Sequence, residues 1–226
     1  MCFSSTASFI ASAALSALAA ATISEAARSK NPRTLVFASF PAFFAAQQFT
    51  EGVVWLSFDS SLIHTVATHL YVLFSQVVWP IMAPVAVLLL ERDARRKIIL
   101  RVFLCLGIAI SSYLLYLIVS EPVVSQITAH SIAYCSSHLR MDSYAIPALI
   151  CYVIATCGSC MVSSNRVISI FGIILLASLA VALWFFVKTF TSVWCFFAAL
   201  LSFVVYVHFA HKRKNELVRI YGQLQP

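Results

Sequence analysis

Long apolar runs alternate with short polar clusters along the chain, and this pattern predicts membrane-spanning helices. A helix needs roughly 20 mainly apolar residues to cross about 30 Å of hydrocarbon. Seven stretches meet that need: 4–27, 34–57, 64–90, 98–119, 144–163, 167–187 and 190–210. The first is Ala- and Ser-rich and only mildly hydrophobic, whereas the other six are dominated by Leu, Ile, Val and Phe. The expected fold is an all-α membrane protein, a bundle of seven transmembrane helices forming one domain over residues 1–226.

The polar clusters between the runs set the orientation. A secretory signal peptide opens with a positive region, but Met1 to Thr6 carry no basic side chain, while Arg28, Lys30 and Arg33 follow the first run. That asymmetry predicts a retained helix with its N-terminus outside. The alternate loops then place Arg28, Lys30, Arg33, Arg92, Arg95, Arg96, Lys97, Arg101, Arg166, Lys212, Arg213, Lys214 and Arg219 on the cytoplasmic side. Only Arg140 and Lys188 fall outside, a single consistent phase under the positive-inside rule. The C-terminus is expected in the cytoplasm.

Composition agrees with this reading. Hydrophobic residues make up 62% of the chain and charged residues 10%, against about a quarter charged in soluble domains. The net charge of +7 sits in the inter-helix loops. It is therefore a topology signal and not a nucleic-acid stripe. The expected partners are the lipid bilayer and a small solute or ion, with self-association left open.

The longest outer loop, about 120–143, holds His130, Cys135, His138, Arg140 and Asp142. Its apolar positions Val123, Val124, Ile127 and Ile132 suggest a short helix on the bundle mouth; the alternative is a plain connector. Helix three (SQVVWPIMAPVAVLLLERDARRK) and helix seven (TSVWCFFAALLSFVVYVHFAHKRK) each run from a Trp through an apolar stretch to a basic cluster. Helices two and six both follow a short turn, NPR and SNR. Two parallel three-helix halves joined by helix four, a 3+1+3 repeat, would produce this pattern.

Four segments carry a family resemblance: Met1-Cys2-Phe3-Ser4, QQFTEGVVW at 47–55, SQVVWPIMAPVAVLLLE at 75–91 and SVWCFFAALLS at 192–202. With them the chain resembles an uncharacterised family of bacterial multi-pass membrane proteins over nearly its whole length. The resemblance implies seven helices and a bacterial inner (plasma) membrane, and it brings no activity. Function must come from the residues.

Glu51 is the most informative of these. It lies inside helix two, roughly 10 Å below the outer boundary at about 1.5 Å per residue. An ionisable group at such depth costs a few kcal/mol unless it is paired or wet. Gln47, Glu51 and Trp55 share one helical face, with Gln48 beside it. Helix three offers His69 at the depth of Glu51 and Gln76 at the depth of Gln48. A Glu51–His69 pair could move a proton or bind a cation; interhelical glue is the alternative. Pro41, Pro80 and Pro84 would free backbone carbonyls within the spans, although proline is common in membrane helices.

The cysteines offer two further expectations. Cys157 and Cys160 form a C-x-x-C on one helical face, a redox or metal pair by type. Their expected place at a cytoplasmic helix end, where thiols stay reduced, favours packing. Cys2 and Cys135 are both expected outside, where an oxidising compartment could link them. A metal or haem site drawn from the outer His and Asp residues with Glu51 and His69 lacks ligand spacing. No Walker A, dinucleotide fingerprint or nucleophile elbow occurs, and no motif indicates a cofactor. Residues 190–210 contain no Lys, so nothing there supports a retinal Schiff base; Lys188 is at the outer edge.

The reading that best unites these residues is a small-solute or ion transporter or channel, with Gln47, Gln48, Glu51, His69 and Gln76 along its pathway. Two other classes remain open: a membrane-embedded metal-, haem- or thiol-dependent enzyme, and a non-catalytic scaffold.

Overall fold

The computed structural model describes residues 4–28, 31–128, 131–135, 145–186 and 189–222. Helix α1, Ser5–Arg28, buries Ser8, Ser12, Leu15, Ala19, Thr22 and Ala26 at helical spacing. These small residues let it lie close along α3, Phe40–Leu56, in the manner of membrane helix interfaces. Ser12 Oγ donates to the Ala45 carbonyl at 2.9 Å. A Cβ on Gly52 would meet the Phe9 ring at 2.8 Å.

The second apolar run is not one helix. It divides at Ser39 into α2, Arg33–Ala38, and α3. Pro41 accounts for the break, because it lacks an N–H and its ring crowds the carbonyl four residues earlier. The third run is one rod over Ser61–Leu90, built from α4 (Ser61–Val72), a π-helical segment (Leu73–Val78) and α5 (Trp79–Leu90). The wide π turn directly precedes Pro80 and relieves the clash an α-helical turn would impose. Its carbonyls are used elsewhere: Ser75 O accepts from the Tyr152 hydroxyl at 2.6 Å, and Val77 O from Ser111 Oγ at 2.8 Å.

Helix α6, Ala94–Ser120, starts at Asp93, whose side chain accepts from Arg96 N. It crosses the 61–90 rod at Gly107, where a Cβ would stand 1.9 Å from the Pro80 carbonyl oxygen. After α6 the chain forms an antiparallel hairpin, β1 (Val124–Thr128) with β2 (Ser131–Cys135), in the register Val124↔Cys135 to Thr128↔Ser131. The short helix expected over this stretch is therefore corrected to strands. Val124, Ile127, Thr128 and Ile132 are β-branched and suit a pleated surface. Ser131 to Tyr134 are buried, and the hairpin packs on α4 and α10 instead of lying on the mouth as an amphipathic helix.

Helix α7 (Ala145–Val153), a second π segment (Ile154–Gly158) and α8 (Ser159–Val162) make the fifth rod; α9 is Arg166–Phe185 and α10 is Phe190–Gly222. The described residues thus form an all-α bundle with one hairpin. Five helical segments are long and apolar enough to cross a membrane: 5–28, 61–90, 94–120, 166–185 and 190–207. Helix α3 has 17 residues, and the apolar 146–162 segment is also shorter. Large apolar side chains point outward, among them Leu62, Ile98, Val119, Ile150 and Phe203, which suits hydrocarbon surroundings. Inside, Phe37, Phe40, Phe44, Trp79, Phe171, Trp194 and Phe209 form an aromatic-rich core.

The turns gather at two ends. Asn31, Arg33, Glu91, Arg92, Ser164, Asn165 and Phe209 border one cavity. Ser57, His64 and Ser125 are hydrogen-bonded together elsewhere, at the α3–α4 turn and the hairpin.

Candidate functional site

The polar stripe of α3 is fully buried. Gln47, Gln48 and Glu51 are each 0–1% exposed, so their polar atoms must find partners inside the bundle. Helix α10 supplies the main one: Ser192 Oγ donates to Glu51 Oε1. Gln48 Nε2 lies 3.4 Å from Glu51 Oε2, a long hydrogen bond. Trp79, at the exit of the π turn, donates from Nε1 to Gln47 Oε1 at 3.1 Å. Its ring is fixed by stacking on Phe44 at 4.1 Å and by the edge of Phe40 at 5.3 Å.

Cys195 lies one turn beyond Ser192. Its thiol lies near Gln47, Tyr71 and Glu51. Tyr71 is fully buried and stacks on Tyr134 of the hairpin, with ring centroids 4.3 Å apart and planes 10° from parallel. Helices α3, α4, α5 and α10 and strand β2 thus converge on one carboxylate-centred cluster. Three of its polar atoms, Gln47 Nε2, Gln48 Oε1 and Trp55 Nε1, are buried without a partner among the described residues. Each such group costs about 1–3 kcal/mol. Three within nine residues of one helix mark a place suited to water, a proton or a small polar ligand. Where the cluster ends, Trp79 and Cys195 also border a cavity of about 40 Å³ with Tyr152, Thr156, Cys160 and Trp194.

The other expected site residues lie as follows. Among the described residues no hydrogen bond or ion pair joins His69 to Glu51. His69 Nδ1 is 2.7 Å from the Thr65 carbonyl of its own helix, because equal depth on two helices does not fix which way each side chain faces. Gln76 is buried within the π turn. Cys157 and Cys160 are buried, unoxidised thiols. Cys160 packs against Gly172, where a Cβ would approach its own Cβ at 2.6 Å. Cys135 is exposed on the hairpin, while Cys2 lies outside the described residues, as do His130, His138 and Asp142. Among the described residues no three His, Cys, Asp or Glu side chains come together as a metal site.

Two polar arrangements were not expected from sequence. His64 bridges the α3–α4 turn and the hairpin: Nδ1 lies 3.2 Å from Ser57 Oγ, Nε2 2.7 Å from Ser125 Oγ, and Ser125 Oγ 2.9 Å from Thr68 Oγ1. This network pins the hairpin beside Tyr71. At the other end, Glu91 joins two turns. Its oxygens accept from Arg92 N, Asp93 N, Ser164 N and Ser164 Oγ at 2.6–3.0 Å. Burial alone would raise the Glu91 pKa, but the Ser164 and backbone donors outweigh it and hold the carboxyl at about 2. Arg96 reinforces the same junction by donating from Nη1 to Val162 O at 2.8 Å.

A family model described as a family of unknown function, DUF6629, matches residues 1–219. No curated protein and no solved structure matches the chain.

Proposed function

The chain belongs to this family of unknown function, and from its geometry we propose that it is a small-solute or ion transporter or channel in which Glu51 is the proton- or cation-binding carboxylate. The observation that carries this reading is a fully buried carboxylate flanked by partnerless amide and indole groups, where four helices and a hairpin converge. A carboxylate kept only for packing needs no unsatisfied neighbours, and ionisable groups at membrane depth commonly mark proton or ion pathways. Gln47, Gln48 and Trp55 offer the polar surface that an ion or water would use. Ser192 and Cys195 complete it from α10, and Gln76 lies farther along in the π turn. His69 is assigned no pairing with Glu51.

Seven crossings with the N-terminus outside and the C-terminus in the cytoplasm of a bacterial inner membrane belong to the same proposal. Its support is the convergence at one cavity of the turns near Arg33, Arg92 and Asn165 with Phe209 of α10, as alternate basic loops would require. In this orientation the Tyr71–Tyr134 stack lies toward the outer side.

The test is flux in liposomes with a pH-sensitive dye inside, under imposed pH, Na⁺ and K⁺ gradients. Wild-type protein should carry a flux that Glu51→Gln abolishes and that Glu25→Gln, on α1, leaves intact. Unchanged flux and pH dependence in Glu51→Gln would remove Glu51 from the pathway. If Glu51→Gln altered thermal stability alone, the scaffold reading would take its place.

A further inference from the structure

A polar cavity lies at the opposite end of the bundle from the Tyr71–Tyr134 stack, and the transport reading does not use it. It encloses about 390 Å³ between the start of α2, the α5–α6 turn, the α8–α9 turn and α10. Arg33 and Arg92 line it, and neither has an ion-pair partner among the described residues. Its single acid, Glu91, is committed to four donors from Arg92, Asp93 and Ser164. The lining residues therefore carry a net positive charge.

Two asparagines give the cavity a defined donor geometry. Asn31 Oδ1 accepts from Arg33 N at 3.2 Å, and Asn165 Oδ1 accepts from Val167 N at 3.0 Å. With both carboxamide oxygens held by backbone N–H groups, each amide must present its NH2 side elsewhere. No described residue accepts from either nitrogen. Thr34 and Ser164 also border it, and its apolar side is formed by Leu89, Leu90 and the buried ring of Phe209. Two guanidinium forks and two amide donors beside an apolar wall form an amphipathic anion pocket. Guanidinium groups match the paired oxygens of phosphate.

We infer that this cavity binds a phosphate group, presented either by an anionic phospholipid whose glycerol and acyl carbons lie along Leu89, Leu90 and Phe209, or by a free phosphate compound. The apolar wall favours the lipid. Headgroup pockets between helices on the basic side of membrane proteins use the same chemistry.

The experiment uses full-length protein in nanodiscs and in neutral detergent. Thermal unfolding and native mass spectrometry are compared with phosphatidylglycerol, with phosphatidylcholine, and with inorganic phosphate alone. Wild type should retain phosphatidylglycerol, and the double variant Arg33→Gln/Arg92→Gln should lose at least about tenfold in affinity, since charge-assisted hydrogen bonds to the phosphate are removed. Arg95→Gln/Arg101→Gln, which removes two exposed basic residues outside the cavity, should bind as wild type and separates the pocket from general charge. Stabilisation by phosphatidylglycerol that inorganic phosphate does not displace identifies the lipid; stabilisation and displacement by inorganic phosphate identify the free compound. Equal binding of the two lipids with no phosphate effect overturns the inference. So does phosphatidylglycerol binding that both double variants weaken equally.

Discussion

Gly107→Ala should be among the most damaging small substitutions in the bundle. A Cβ there would stand 1.9 Å from the Pro80 carbonyl oxygen and 2.9 Å from its carbon. Ordinary carbon–oxygen contacts are about 3.3 Å or more, so α6 and the 61–90 rod must separate by roughly 1.4 Å along that line. The obstacle is backbone, and no rotamer change relieves it. Overpacking of this kind costs about 1–3 kcal/mol. The separation also strains the Ser111–Val77 hydrogen bond one turn away, at 2.8 Å, a contact worth about 1 kcal/mol. Better helix propensity returns about 1 kcal/mol, leaving a net loss of about 2 kcal/mol. In a chain of this size that lowers Tm by roughly 4–8 °C. The control is Gly158→Ala, whose added Cβ meets the Phe103 ring at an ordinary 3.4 Å and should be neutral to slightly stabilising. Unfolding of both variants in detergent, followed by circular dichroism, decides the matter. If Gly107→Ala melted with wild type, the close crossing at Pro80 would be refuted.

Three further outcomes follow from the hydrogen bonds. Ser192→Ala removes the α10 donor to Glu51 and should lower stability by about 1–3 kcal/mol; the loss should largely vanish in a Glu51→Gln background, as a double-mutant cycle would show. Trp79→Phe keeps the stack on Phe44 but leaves Gln47 Oε1 without its donor, so a loss of about 1–2 kcal/mol is expected by thermal melt. Glu91, with its carboxyl at about 2 against an ordinary 4.5, stabilises the ionised fold fully above pH 4.5. That contribution is lost as pH falls from 4.5 toward 2. Melting curves should therefore show a decline across this window in wild type that Glu91→Gln lacks, and a parallel decline in both would contradict the assignment.

The sequence pattern revealed the all-helical class, and five of its apolar runs became helical segments long and apolar enough to cross a membrane, whereas the second run split at Ser39 and the fifth is shorter. The pattern did not reveal the interruptions. The break at Ser39 depends on the local clash at Pro41, and the π turn at 73–78 goes with carbonyls that accept from Tyr152 and Ser111 across the bundle. The hairpin was missed because 123–132 is too short a run for periodicity to separate strand from helix. Within the site, Gln47, Gln48 and Glu51 were legible as a stripe, since one helix fixes their spacing. Their partners were not. Depth matching placed His69 level with Glu51, yet its ring turns to Thr65. Ser192 and Cys195, which do reach the cluster, are residue types found throughout membrane helices. Glu91 went unnoticed because an acid beside a basic loop resembles ordinary surface charge until Ser164 is seen against it.

The central claim is that the buried Glu51 carboxyl exchanges a proton or cation and is not a fixed packing element. Infrared difference spectroscopy of the protein in nanodiscs, titrated with pH and with Na⁺ or K⁺, tests this without knowledge of the transported solute. The account predicts a carboxyl carbonyl band that changes with pH or cation in wild type, is absent in Glu51→Gln and shifts in Ser192→Ala. A carboxyl band insensitive to both, or one that persists unchanged in Glu51→Gln, would contradict it.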